Sequence, residues 1–537
     1  MTTRRRRAFL LVPLLALLGG VGAVPASAQP SVTVSLQAQT RFTTEERPVL
    51  RVAVAATNVG TTDIEDLGMM IAVGPAVSSR LAYEASLIAG PTTIASSVRV
   101  PLRGVLVAGG ARTFTAEVDV ASLPAISAVD SRVYPLLVVL EGAGHELARI
   151  SSAQIHIVRE PEAPLVFSWW LAFTSGPAFG PDGTFRNQAL AASLAPGGSL
   201  SARAIALRRV AERGASIDVV LQPSLLVDVA DMADGYVLPD GAQIAAGTGG
   251  AAAAMTFLDD LRAAASAPGV EIASLPMFAP SAPGLLAAGL GADLRGQEQL
   301  GNRTVAELLG VEASRVLERP VESRLDRAAL DRYAAAGVTT LLGDADTVER
   351  APAPSGFAPG PTAALGVGET PLTAVLPDPG VETLLGSTDL LADPVRAAQG
   401  ILGELAVIWK ESPKPAPPIV RGLAVELWSS LPPPVWAPLM DRIASAPFLR
   451  RAHAPNLVEL VSPPGPRATL ASPDAGTFTT AYVDRIRALD RDVAAFRSMQ
   501  VAASEEPDRL RDAIWQAEAA AFMGTGEPFG VPWLDEV

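Results

Sequence analysis

Four carboxylates stand where an enzyme built on parallel strands would place its reactive groups. Glu318, Asp344, Asp378 and Glu426 each follow a short apolar run that reads as a β-strand. In α/β barrels the groups that meet substrate sit at the C-terminal ends of the strands. Hydrolysis of a glycosidic bond needs only two carboxyl groups flanking the sugar, one as acid and one as base or nucleophile. Glu318 and Glu426 form the leading pair. Asp378, between Pro377 and Pro379, also fits simple turn chemistry, and Glu318 also fits an ion pair with a nearby arginine. Trp428, two residues beyond Glu426, offers a ring for stacking on a sugar face. Trp169, Trp170 and Gln222 are further ligand-binding candidates near the first strands, with core packing as the competing role for the two rings.

Other chemistries find little to work with. The chain has three histidines, His145, His156 and His453, with no His-x-x-x-His pair, and no cysteine. Neither a thiolate site nor a histidine-rich metal site is expected. There is no Gly-x-Ser-x-Gly elbow for a nucleophilic serine. Gly289-Leu290-Gly291 is followed by Leu294 where a dinucleotide fingerprint requires glycine. No cofactor is expected.

The elements that position these residues fall into three regions. Residues 31–158 read as an all-β, immunoglobulin-like sandwich: short strands such as Val49–Thr57, Thr113–Val120 and Tyr134–Leu140 alternate with turn clusters. Residues 159–164, Arg-Glu-Pro-Glu-Ala-Pro, form a charged, proline-bearing linker. From 165 to 462, seven apolar runs alternate with helical stretches: Leu165–Phe173, Ile217–Gln222, Glu271–Leu275, Arg315–Glu318, Val338–Leu342, Leu372–Leu376 and Ile419–Glu426. About seven βα units predict an α/β barrel. Residues 463–537 read as helical, with Tyr482, Ile486, Leu489 and Val493 spaced to pack on the barrel.

The N-terminus reads as an export signal covering residues 1–28. Arg4–Arg7 form its positive start, Ala8–Val24 its apolar run, and Ala26-Ser27-Ala28 its cleavage point. The run is about 17 residues and broken by Pro13 and three glycines, short for a membrane span. Arg6-Arg7-Ala8-Phe9-Leu10 also fits the twin-arginine pattern. Cleavage is expected to leave a soluble protein in the envelope or outside the cell, without membrane insertion. Four of the 42 basic residues leave with the signal, so 38 face 56 acidic ones. Such a balance disfavours nucleic acid and anionic wall polymer as partners.

Several short motifs carry a family resemblance. Phe167-Ser168-Trp169-Trp170, Asp182-Gly183-Thr184-Phe185, the segment Leu194–Leu200, Gln222-Pro223-Ser224-Leu225-Leu226 and Met232–Tyr236 occur in order, with Tyr134-Pro135-Leu136 upstream. Together they resemble uncharacterised secreted actinobacterial proteins that join an immunoglobulin-like domain to a barrel similar to glycoside hydrolases and polysaccharide deacetylases. The resemblance spans most of residues 45–520 and implies that fold rather than an activity. The chain departs from the pattern twice. Gln222-Pro223 stands where relatives often have Asp-Pro, and Leu275-Pro276-Met277-Phe278 lacks the acids relatives carry nearby. Glutamine binds a hydroxyl but neither gives nor takes a proton at ordinary pH. Relatives also tend to continue into a further β domain and a membrane helix, so this chain is expected to end short of their pattern. The sequence therefore favours a non-catalytic glycan- or partner-binding envelope protein on a degenerate glycosidase-like barrel. The alternative is a metal-independent glycoside hydrolase using two strand-end carboxylates.

Overall fold

The computed structural model describes residues 32–159, 161, 163–322, 325–344, 347–349, 360–367, 370–411, 420–427, 430–461, 469–470, 477–500 and 504–537. Residues 1–28, read above as an export signal, and Glu160, Glu162 and Trp428 lie outside them.

The N-terminal region is built from two β-sheets over one core. One sheet joins Val32–Gln39, Val49–Asn58 and Ala111–Asp119, all antiparallel. The other runs in the order Thr43–Thr44, His145–Ile157, Arg132–Gly142, Leu67–Val73, Ser96–Pro101. Strand alternation sends Val52, Val54, Phe114 and Val118 inward from the first sheet, where they meet Met69, Ile71, Leu136 and Val138 from the second. Besides a single 3-10 turn at Val120–Ser122, one α-helix departs from the all-β expectation. Arg80–Ala89 is a helix, started by Ser79, whose hydroxyl accepts the Ala82 N–H, and ended at Gly90 with φ +81°. Its Tyr83 and Leu87, four residues apart on one face, pack on the long helix Pro394–Lys410 of the next region. The β-strand pattern on both sides hides this single helical face.

The second region contains all seven expected strands: β1 (Leu165–Phe173), β2 (Ile217–Leu221), β3 (Val270–Ser274), β4 (Leu317–Glu318), β5 (Thr340–Leu342), β6 (Thr370–Val375) and β7 (Gly422–Leu427). They pair in parallel as β3-β2-β1-β7 and as β4-β5-β6. Two backbone bonds join these arcs into a distorted barrel: Ser314 N–H to Ile272 O at 2.7 Å, and Asp378 N–H to Ala424 O at 2.9 Å. Helices cover the outside, as parallel βα units require. The C-terminal helices Thr480–Met499 and Glu506–Ala517 share a core with the β4–β6 side, through Tyr482, Ile486, Val493 and Ile514 against Leu341 and Leu372. Phe496 and Met499, which continue the three- and four-residue spacing of Tyr482, Ile486, Leu489 and Val493 at the end of the helix, are exposed. No described helix is long and apolar enough to cross a membrane.

The period of two along each strand decides what enters the barrel. The apolar middle of the lumen holds Trp170, Val220, Ala273, Leu317, Leu342, Val375 and Ala424. One inward step toward the C-terminal ends reaches Ala172, Gln222, Leu275, Arg319 and Glu426. One step the other way reaches Ser168, Asp218 and Glu271. The two layers lie at opposite mouths, and of their polar residues only Asp218 and Gln222, just past its end, come from the same strand, β2.

Candidate functional site

At the C-terminal mouth lies a cleft of about 490 Å³, lined by Gln222, Phe278, Arg319 and Glu426 among others. The segment Ala519–Phe522 forms its outer wall, tied to the barrel by the Ala520 N–H donating to Ala279 O at 3.2 Å. A larger groove of about 790 Å³ adjoins it, shares Phe278 and Gln516, and carries Tyr236 and Trp533 on its walls.

Arg319 organises the cleft. Its Nη2 donates to Asp344 Oδ1 at 2.5 Å and lies 3.6 Å from Glu426 Oε2. Asp344 is fixed from behind, its own N–H donating to Thr347 Oγ1 at 2.8 Å. Burial pushes the Glu426 carboxyl above the usual range, against the opposing pull of the Arg319 guanidinium. Gln222 caps no backbone group of the helix it begins. Its Oε1 accepts the Ser175 N–H at 3.1 Å and its Nε2 donates to Ser224 Oγ at 2.8 Å, which fixes the amide at the cleft edge.

The remaining sequence candidates fall elsewhere. Glu318 is one residue out of phase with the lumen. It lies among Glu298, Arg332 and Tyr333 under the helical layer, and burial, reinforced by Glu298, raises its carboxyl well above the usual range. The expected pairing of Glu318 with Glu426 is thus replaced by Asp344 with Glu426, and the alternation of β4 is the reason. Asp378 is buried at the other face of its strand end. It caps the helix Pro379–Leu385 through the Gly380 and Val381 N–H groups and pairs with Arg80. Trp169 and Trp170 are each 0% exposed, so neither ring is open to a ligand. Trp169 points into the helical layer and donates to Ser216 O at 2.5 Å, while Trp170 fills the lumen below Glu426.

Sequence spacing did not anticipate the opposite mouth. There His453, just after the strand Leu449–Arg451, brings Nδ1 to 2.7 Å from Asp218 Oδ1 and 3.7 Å from Glu271 Oε2. Burial pulls the imidazolium down, but the hydrogen bond and charge of Asp218, with Glu271, outweigh it and raise its pKa. The three residues are separated by about fifty and about 180 positions, and only the barrel topology unites them.

No family model and no curated protein matches the sequence. Solved structures are distantly similar over about 70% of the chain. A GH57-type branching enzyme from Pyrococcus horikoshii aligns with TM-score 0.48 and 11% identity, over 69% of this chain and 88% of its own. A GH57 branching enzyme from Thermococcus kodakaraensis gives 0.47 and 10%, over 70% and 88%. For a 4-alpha-glucanotransferase from Thermococcus litoralis the values are 0.41 and 13%, and this chain covers only 55% of that protein's length.

Proposed function

We propose that the chain is an exported, metal-independent glycoside hydrolase that acts in the cleft at the C-terminal mouth of its barrel. One observation carries the reading: Arg319 and Glu426 line an open cleft, and the Arg319 nitrogen that lies 3.6 Å from Glu426 also holds Asp344, just behind the lining. The Glu426 and Asp344 oxygens on that nitrogen are therefore no more than about 6 Å apart, an upper bound that accommodates the ~5–5.5 Å separation of retaining enzymes and lies below the ~6.5–9.5 Å of inverting ones. Glu426, whose burial favours the protonated form, is the general acid. Asp344, salt-bridged to Arg319, is the nucleophile. The adjoining groove, with Tyr236 and Trp533 on its walls, has room for further sugar units of a polymer.

The test is incubation of the chain with a panel of neutral glucans and wall polysaccharides, scoring reducing ends and the anomer first released. Release with retention, lost in Glu426→Gln and in Asp344→Asn, is the expected result. Release that survives both substitutions overturns the assignment.

A binding-only reading has two observations in its favour. Arg319 already occupies the space between the two carboxylates, and Gln222 brings an amide rather than an acid to the same layer. Glycan retention on an array without any turnover would select it.

A further inference from the structure

We propose that the opposite, N-terminal mouth of the barrel binds one divalent transition-metal ion of the zinc class, held by Asp218 Oδ1, Glu271 Oε2 and His453 Nδ1. These ligand atoms all lie within 4.8 Å of one another. They come from β2, β3 and the segment after Leu449–Arg451, elements that the barrel fixes independently of any ion.

The surrounding hydrogen bonds leave one oxygen of each carboxylate for a common point. Asp218 Oδ2 accepts the Ala454 N–H at 2.8 Å and lies 3.4 Å from the donating Ser168 hydroxyl. Glu271 Oε1 accepts the Ser314 hydroxyl at 2.7 Å. Such outer contacts are what orient carboxylate ligands in metal sites. Charge argues the same way. Asp218 is 0% exposed, and among the described residues neither it nor Glu271 has an ion pair with lysine or arginine. Directly above them the lumen is apolar, lined by Trp170, Val220 and Ala273. Two carboxylates against such a wall call for a cation.

The donor set narrows the ion. One imidazole nitrogen with two carboxylate oxygens suits zinc, cobalt, nickel or manganese, whereas calcium and magnesium favour all-oxygen sites. Three protein ligands leave coordination positions open. On that side lies a polar pocket of about 340 Å³, lined by Glu312 and Ser314 besides Glu271 and His453, which gives water access. The ion's place on two strands and the closing segment assigns it the role of pinning the lower rim, away from the cleft that holds Glu426.

A proton shared between His453 and Asp218 makes the same 2.7 Å contact without a metal, and the experiment separates the two. Chelator-stripped full chain is titrated with zinc chloride by calorimetry and with cobalt chloride by visible absorption. One saturable site per chain, a cobalt d–d band and a higher melting temperature with zinc are expected. His453→Gln and Glu271→Gln, checked for folding by circular dichroism, should each weaken zinc by on the order of 100-fold, and Ser314→Ala by about 10-fold. Glu426→Gln should bind zinc like the unmodified chain. Absence of saturable binding of either metal overturns the site, as does zinc binding unchanged in both His453→Gln and Glu271→Gln. None of these readouts depends on hydrolysis, so the cleft assignment can fail without affecting them.

Discussion

Arg80 and Asp378 face each other through two hydrogen bonds, Nη1 to Oδ2 at 3.0 Å and Nη2 to Oδ1 at 2.5 Å. The pair joins the helix Arg80–Ala89 of the N-terminal β region to the end of β6, and Glu404 on Pro394–Lys410 takes the remaining Nε. The Arg80 side chain is only 11% exposed. One guanidinium thus compensates two buried carboxylates, and its fork matches both in a way an ammonium does not. Arg80→Ala should cost about 3–5 kcal/mol in urea unfolding. Arg80→Lys should recover less than half of that loss.

Glu404 predicts the pH dependence of the same junction. It is 0% exposed, its Oε2 has no hydrogen-bond partner among the described residues, and burial pushes its carboxyl up to about 7 despite Arg80. A folded-state pKa above the unfolded value favours the protonated form. Its stabilisation is therefore complete below the ordinary glutamate range and is lost as pH rises through about 7. Glu404→Gln keeps an acceptor for Arg80 and cannot ionise. Its stability should match the unmodified chain near pH 4 and exceed it near pH 8 by about 2–3 kcal/mol. Equal pH profiles for the two proteins would rule this account out.

These two residues also show what the sequence could and could not disclose. Seven apolar runs with capped helices between them were enough to place β1 to β7, because burial on both faces of a parallel strand leaves a continuous apolar signature. The short strand Leu449–Arg451 beside β1 and the antiparallel Thr362–Val367 beside β6 were missed. Asp378 follows such a run as neatly as Glu426 does, yet one serves the Arg80 junction and the other the cleft. Which face a strand-end residue takes depends on phase, and β4 is only two residues long, too short for its own pattern to reveal that Arg319 rather than Glu318 points inward. Trp169 and Trp170 are neighbours in sequence and lie on opposite sides of the barrel wall. The meeting of His453 with Asp218 and Glu271 has no local signature at all, since it follows from strand order alone.

In the cleft, burial raises the Glu426 carboxyl and Arg319 holds it down. Removing the guanidinium should therefore raise that pKa further. If Glu426 is the acid, activity falls on the alkaline side as it loses its proton. Arg319→Ala should then move the alkaline limb of kcat/KM to higher pH while lowering the maximum by about 10²-fold through loss of the Asp344 anchor. An alkaline limb that stays in place, or moves down, assigns the acid role to another group.

The packing of the N-terminal helix on Pro394–Lys410 can be tested with two glycines one turn apart. Tyr83 is fully buried and its hydroxyl donates to Gly400 O at 2.6 Å. A methyl group on Gly403 would fall on that hydroxyl and come within 2.9 Å of Ala153 Cβ, in a place where neither neighbour can retreat without moving a sheet or a helix. On Gly400 the same methyl would meet Leu87 and Leu390 at 3.4 and 3.5 Å, ordinary contact distances. Alanine gains up to about 1 kcal/mol over glycine in helix propensity at either position. Overpacking costs about 1–3 kcal/mol. Gly400→Ala should therefore be neutral or slightly stabilising, whereas Gly403→Ala should be destabilising in spite of the propensity gain. Restoring space with Tyr83→Phe should rescue Gly403→Ala in part and should lower the stability of the unmodified chain by about 1 kcal/mol through loss of the buried hydrogen bond. Thermal melts of the five proteins decide it: equal melting temperatures for the two alanine variants would mean that the helices do not meet as tightly at Gly403 as Tyr83 requires.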